Sequence, residues 1–169
     1  VLSGWKVGIR GPNGAGKTSF LDYLMGSNAL AVPSYYLPQE LDTEFKRDLL
    51  SKFHGSNRED FSMILEIFAR LGSDPKQLLS ASDPSPGELR KLAIACAIRA
   101  GVPCLIMDEP TNHLDLPAIE RLTDALAESA LTVLVVSHDR YFLRGVCDHH
   151  WAFVHAGEHE FRVDREAEP

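Results

Sequence analysis

Residues 11 to 18 read Gly11-Pro12-Asn13-Gly14-Ala15-Gly16-Lys17-Thr18 and fit the pattern G-x-x-x-x-G-K-[ST] at every fixed position. Glycines at 11, 14 and 16 let the backbone curl so that successive N–H groups point at phosphate oxygens, an approach that side chains would block. Lys17 has the reach and charge to meet the β- and γ-phosphates of a nucleoside triphosphate. The Thr18 hydroxyl, with Ser19 beside it, offers hard oxygen to Mg2+. A chance glycine-rich turn would lack the flanking elements that this chemistry needs. Here Lys6 to Arg10 reads as a short strand and Ser19 to Met25 as a helix, so the helix N-terminus adds its positive dipole end to the loop.

Three other stretches carry chemistry. Leu105-Ile106-Met107-Asp108-Glu109-Pro110 is an apolar strand ending in two acids. A triphosphate site needs an acid at a strand end to hold Mg2+, which suits Asp108, and a neighbouring carboxylate to orient or deprotonate water, which suits Glu109. Ser85-Pro86-Gly87-Glu88 has two compatible readings. It is a helix start, with Ser85 as N-cap, Pro86 at the first helical position and Glu88 closing a capping box. It is also an anion-facing surface made of a serine hydroxyl and a bare glycine N–H. His138 follows the apolar run Leu131 to Val136 and precedes Asp139-Arg140.

The elements that must position these groups alternate. Strand patterns fall at Val7–Arg10, Ser34–Leu37, Cys104–Met107, Thr132–Ser137 and Trp151–Val154. Helical patterns fall at Gly16–Met25, Phe61–Leu71, Pro86–Arg99, Pro117–Ser129 and Arg140–Val146. Continuous apolar strands between helices predict an α/β fold with a mostly parallel sheet, and ligands at the carboxyl ends of its strands. The phosphate loop, Asp108 and His138 all stand at such ends. Residues 42 to 79 read as a helical insert, with Phe61, Ile64, Leu65, Phe68 and Leu71 at spacings of three and four and a break at Leu71 to Pro75. The tail after Asp164 is charged and expected to fray.

Composition bounds the class. A chain of 169 residues fits one domain, and its 44% hydrophobic and 24% charged residues match an ordinary globular protein. The net charge of −7 leaves no basic footprint for nucleic acid or an anionic membrane. No apolar run approaches the roughly 18 residues needed to span a bilayer. Cys96, Cys104 and Cys147 are odd in number and form no C-x-x-C pair, which points to a reducing, cytoplasmic setting. Cys147, His149, His150, His155 and His159 match no common zinc spacing, so no structural metal is expected. The chain opens at Val1 without a methionine, and the expectation is a piece of something longer. Arg90, Lys91 and Arg99 are expected on a solvated helix face or paired with acids.

Taken together, the phosphate loop, Gln39, Ser85-Pro86-Gly87-Glu88, Asp108 to Asp115 and Ser137-His138-Asp139-Arg140 stand in the order found in ATP-binding cassette (ABC) ATPases, which the chain resembles over roughly residues 5 to 155. Their usual signature is Leu-Ser-Gly-Gly-Gln. Here Pro84, Pro86 and Glu88 replace the leucine, first glycine and glutamine, while Ser85 and Gly87 remain. A proline at the first helical position loses only an N–H that has no intrahelical partner, so the cap should survive. Tyr36-Leu37-Pro38-Gln39-Glu40, Glu109 to Asp115 and Ser137 to Leu143 are similar to the ABC-F class, whose members are soluble, carry two cassettes on one chain and generally act on the ribosome. The short span from Gln39 to Ser85 resembles a second cassette without an arm.

The resemblance implies a P-loop NTPase (RecA-like) core in one domain, residues 1 to 169, with a helical subdomain over about 42 to 100. It implies ATP and Mg2+ as ligands. The phosphate-loop amides and Lys17 would hold the β/γ-phosphates; Thr18, Gln39 and Asp108 would serve Mg2+ and its waters. Glu109 would be the general base, His138 the switch at the γ-phosphate, and Gln39 would join them in catalysis. Ser85 and Gly87 would act on ATP held by a second cassette, from the same parent chain or in a homodimer, with Asp115 in the loop that crosses the interface. Two departures stand out. Only ten residues precede Gly11 and eight separate Gly26 from Tyr35, so the antiparallel β-subdomain that stacks adenine is expected to be truncated, and Trp5 is expected in the core. Two other readings stay open: the engine of a membrane transporter, and an ATP-dependent dimerisation clamp that hydrolyses little.

Overall fold

The computed structural model describes residues 3–27, 30, 32–157 and 160–166. Among the described residues, six strands form one sheet: β1 (Lys6–Arg10), β2 (Ser34–Leu37), β3 (Cys104–Asp108), β4 (Thr132–Val136), β5 (His149–Gly157) and β6 (Glu160–Glu166). Their spatial order is β2-β3-β4-β1-β5-β6. The first five run parallel and β6 returns antiparallel along β5. The α/β, mostly parallel sheet expected from the alternating pattern is therefore present.

The described helices are α1 (Lys17–Gly26), α2 (Thr43–His54), α3 (Arg58–Arg70), α4 (Pro75–Ser80), α5 (Pro86–Arg99), α6 (Leu116–Glu128) and α7 (Arg140–Val146). Alternate residues of each central strand enter opposite layers. Leu105, Met107, Val133 and Val135 pack with Leu92, Phe68, Leu122 and Phe142 from the helices on one face. Cys104, Ile106, Leu134, Val136, Val7 and Ile9 pack with Leu21 of α1 and Phe153 of β5 on the other. Both faces being covered explains why these strands read as unbroken apolar runs. Burying each such aliphatic side chain contributes about 1.5–3 kcal/mol, so the strand ends that carry Asp108 and Ser137 are rooted in the most rigid part of the molecule.

The helix starts differ in a way that matters. Asp42, Asn57, Asp74, Ser85, Asp115 and Asp139 each cap a helix by accepting a backbone N–H at its first turn. At α1 the capping residue is Gly16, in the left-handed region at φ 83, with no side-chain cap. The first-turn amides of α1 are thus left for another acceptor.

Two features went unread in the sequence. β5 extends from His149 to Gly157, beyond the expected Trp151–Val154, and β6 covers residues expected in part to fray. Arg165 and Glu166 stay in register with Trp151 and His150. Residues 167–169 lie outside the described part of the chain. α2 fills the first part of the insert, while the break at Leu71 to Pro75 is the turn where Gly72 takes φ 81. Trp5 is half-buried against the second core layer and stacks on His149 at 3.9 Å between ring centroids, in keeping with a packing role.

Candidate functional site

A cleft of about 540 Å3 opens at the carboxyl ends of β1, β2, β3 and β4. It is lined by Asn13, Gly14, Gly16, Lys17, Thr18, Ser19, Gln39, Asp108, Glu109, Asn112, Val136 and His138. The loop between β1 and α1 forms one wall. Gly11 is required there by close approach: a Cβ on it would stand 2.7 Å from Phe153 Cβ and 2.9 Å from the Phe153 carbonyl. Gly14 and Gly16 supply positive φ values of 78 and 83, which put the loop into a concave turn. Lys17 is buried, and its ammonium donates to the carbonyls of Gly11 and Pro12, both at 2.9 Å. Ala15 sits in the core, so only its backbone can face a ligand.

The opposite wall is acidic. The Thr18 hydroxyl donates to Asp108 Oδ2 at 2.6 Å, joining the start of α1 to the end of β3. Asp108 is 1% exposed. Its charge is felt on β2, where the Tyr36 phenol is pushed up to about 12 by burial first, then by Asp108 and Asp22. Hard oxygens at Thr18 and Asp108, in a negative field at a helix N-terminus, are the donor types that suit Mg2+.

Glu109 turns the chain. It occupies the left-handed region at φ 49, unusual for a side-chain-bearing residue and costing on the order of 1 kcal/mol. Its N–H donates to the Val136 carbonyl at 2.8 Å, which fixes the turn against the end of β4. The side chain is buried and faces His138: Oε2 accepts the His138 N–H at 3.2 Å, and Oε1 stands 3.4 Å from His138 Nε2. Oε1 has no hydrogen-bond donor of its own. Burial raises the Glu109 pKa above the ordinary carboxylate value, and Asp108 adds to this, while the His138 N–H, its imidazole and Ser137 pull it down. A carboxylate that is desolvated, under-satisfied and pointed into a cleft can accept a proton from water. His138 itself is exposed, so its ring is open to a ligand in the cleft.

Ser85 and Gly87 are not in this cleft. The Ser85 hydroxyl and N–H both lie 2.8 Å from Glu88 Oε2, and the Glu88 N–H donates to Ser85 Oγ at 3.3 Å, a complete capping box. Ser85 is exposed. Gly87 lies against the loop after β3, where a Cβ would stand 2.8 Å from the His113 carbonyl, and His113 itself takes φ 64. Asp115 caps α6 by accepting the Ala118 N–H at 3.1 Å.

The basic residues of α5 require a correction. Arg99 pairs with Asp60 at 2.5 Å, as expected, whereas Lys91 is half-buried and donates to Ser73 Oγ at 2.9 Å rather than to an acid. Arg90 does not lie on a solvated face: it is 1% exposed. Nη2 donates to the Gln39 carbonyl at 2.7 Å and Nη1 to the Glu109 carbonyl at 3.3 Å. The signal was present in the spacing. Arg90 falls on the same three- and four-residue stripe as Ala93, Ile94 and Ala97, all buried. Among the described residues no group of three or more His, Cys, Asp or Glu side chains could hold a metal ion, and His159 lies outside them. The three cysteines are free.

Against known proteins, the family model described as ABC transporter matches residues 1–112. The chain belongs to the ABC transporter family. Proteins with this ATPase domain generally hydrolyse ATP. Curated relatives include the "Ribosome protection protein VmlR" of Bacillus subtilis, 36% identical over 153 residues, covering 85% of this chain and 28% of the relative. "ABC transporter F family member 2" of Arabidopsis thaliana is 31% identical over 165 residues, covering 86% of this chain and 24% of the relative. The resemblance to ABC-F cassettes drawn from the motifs is thereby upheld, and the chain spans about a quarter of the length of these relatives. Among solved structures, a chain from "Model of ribosome-bound archaeal Pelota and ABCE1" superposes with a TM-score of 0.72 and 29% identity, covering 90% of this chain and 28% of that one. Among the described residues of this cassette, no helix is long and apolar enough to cross a membrane.

Proposed function

We propose that this chain binds and hydrolyses ATP with Mg2+ as one cassette of an ABC-F protein, closing head to tail on a second cassette and acting on the ribosome in the cytoplasm. The observation that carries the reading is the joining of Thr18 to Asp108 beside Glu109, whose unbonded buried oxygen faces His138 in the same cleft.

In this reading the uncapped amides of α1, the glycine turns and Lys17 grip the β- and γ-phosphates. Lys17 exchanges its bonds to the Gly11 and Pro12 carbonyls for phosphate oxygens. Thr18 and Asp108 would hold Mg2+, with Gln39 serving it through water, and the ion would supply charge neutralisation at the phosphates. Glu109 Oε1 takes the proton of the attacking water, and His138 steadies the γ-phosphate. Helices α2 to α5, about residues 42 to 100, form the helical subdomain, and α5 presents Ser85 and Gly87 to the nucleotide of the opposing cassette. The F-family relative and the ribosomal wording of VmlR's name support a translational role over membrane transport.

Glu109→Gln in the full-length protein tests both halves of the reading. Turnover should fall about 10²–10⁴-fold, the range for a positioned general base, while ATP stays bound and the closed protein sediments with ribosomes. Unchanged turnover removes Glu109 as the base. A wild type that binds ATP without hydrolysing it favours the dimerisation clamp, and association with membranes alone would transfer the chain to transport.

A further inference from the structure

Gln39 and Glu109 lie on different loops, after β2 and within the turn after β3, yet one side chain holds the main chain of both. Arg90 Nη2 binds the Gln39 carbonyl at 2.7 Å and Nη1 the Glu109 carbonyl at 3.3 Å. Its guanidinium is fully buried, and Nε has no acceptor. Burying a cation costs several kcal/mol before partners offset it. Packing alone gives no reason for that cost, because Leu89 and Leu92 fill neighbouring positions of the same helix with apolar side chains. The fork geometry of Arg suits two carbonyls at once, which a lysine ammonium cannot meet in the same way.

The tie has a direction. Glu109 sits in the left-handed region, held on its N–H side by Val136 and on its carbonyl side by Arg90. The helix that carries Arg90 begins at Ser85. Five residues, little more than one helical turn, therefore separate the exposed serine from the clamp on the two cleft loops. We propose that Arg90 is a positioning residue for hydrolysis, aligning the Gln39 and Glu109 loops to the signature helix so that both side chains are presented to the cleft together. The inference rests on the hydrolytic reading above.

The test compares wild type, Arg90→Met and Arg90→Lys in the full-length protein. It measures steady-state ATP hydrolysis, equilibrium ATP binding, and amide hydrogen exchange over residues 36–42 and 108–114. Misplacing a catalytic group by about 1 Å costs on the order of 10²-fold. Arg90→Met should accordingly lower kcat by at least about 30-fold, with ATP affinity and KM within about 3-fold. Exchange should quicken in both loops, and Arg90→Lys should restore part of kcat. Unaltered exchange in both loops, or a lowered Tm with kcat intact, would overturn the proposal. Should Arg90→Met fail to fold, Arg90→Lys decides: slower turnover with faster loop exchange supports the tie, and wild-type values in both refute it. If wild type and Glu109→Gln alike turn over no ATP, the hydrolytic reading fails, while the exchange data still decide whether Arg90 fixes the loops.

Discussion

The phosphate-loop cleft and the signature end of α5 are both built around helix N-termini, but they are left in opposite states. At the cleft, α1 begins with a glycine and no side-chain cap, Lys17 turns back onto its own loop, and Glu109 Oε1 is buried without a donor. At the signature end, the Ser85 hydroxyl and N–H, the Glu88 carboxylate and the Glu88 N–H satisfy one another. An under-satisfied polar site inside a rigid frame is costly unless something binds there. A satisfied and exposed helix start is stable alone and can serve a ligand carried by another molecule. Under the proposed function, the contrast would separate a half-site that receives nucleotide from one that is delivered to it.

Breaking the receiving half should give the largest effect. Lys17→Ala removes a buried charge whose proposed hydrogen bonds to phosphate would be charge-assisted, each worth about 1.5–3 kcal/mol. ATP affinity measured by equilibrium binding should fall by about 10²-fold. Thermal stability without nucleotide should change little, because the bonds lost are to carbonyls of the same loop. Undiminished affinity would show that the loop amides alone hold the nucleotide. Next in size is Gly87→Ala, which strikes where the signature end touches the loop after β3. A Cβ placed 2.8 Å from the His113 carbonyl must displace that loop or the start of α5, at roughly 1–3 kcal/mol. A lowered Tm with ATP affinity retained is expected. A change in affinity instead would mean that the two halves communicate through residues 109 to 115 within one chain.

How much of this was legible beforehand depends on whether a residue's role is local. The phosphate loop, Asp108, Glu109 and His138 sit at the ends of short apolar runs, so their sequence neighbours announced their place. The capping box at Ser85 was equally local, since all its partners lie within four residues. Arg90 was misread because its partners are the carbonyls of Gln39 and Glu109, and backbone carbonyls leave no trace in residue type. β6 escaped for a related reason. Its residues Phe161-Arg162-Val163-Asp164-Arg165 set three charged side chains around two apolar ones, and pairing with β5 makes them a strand. The crowding at Gly11 and Gly87 is likewise set by residues distant in sequence, Phe153 and His113.

The smallest effect on the isolated chain should come from Ser85→Ala, and it bears most sharply on the contrast. The substitution removes an N-cap worth about 1 kcal/mol. Pro86 still presets the first helical turn, and Glu88 can still accept the Ser85 backbone N–H, so α5 should persist with a slightly lowered Tm. The serine lies outside the cleft, so ATP affinity of this chain should match wild type. In the full-length protein the proposed pairing predicts a different outcome: Ser85 would face the other cassette's nucleotide, so closure and turnover should fall although each cassette still binds ATP. Equal turnover in both proteins would reduce Ser85 to a helix cap and leave the cleft as the complete site. A loss of ATP affinity in the isolated chain would mean that α5 reaches its own nucleotide, contrary to the exposed position of Ser85 outside the cleft.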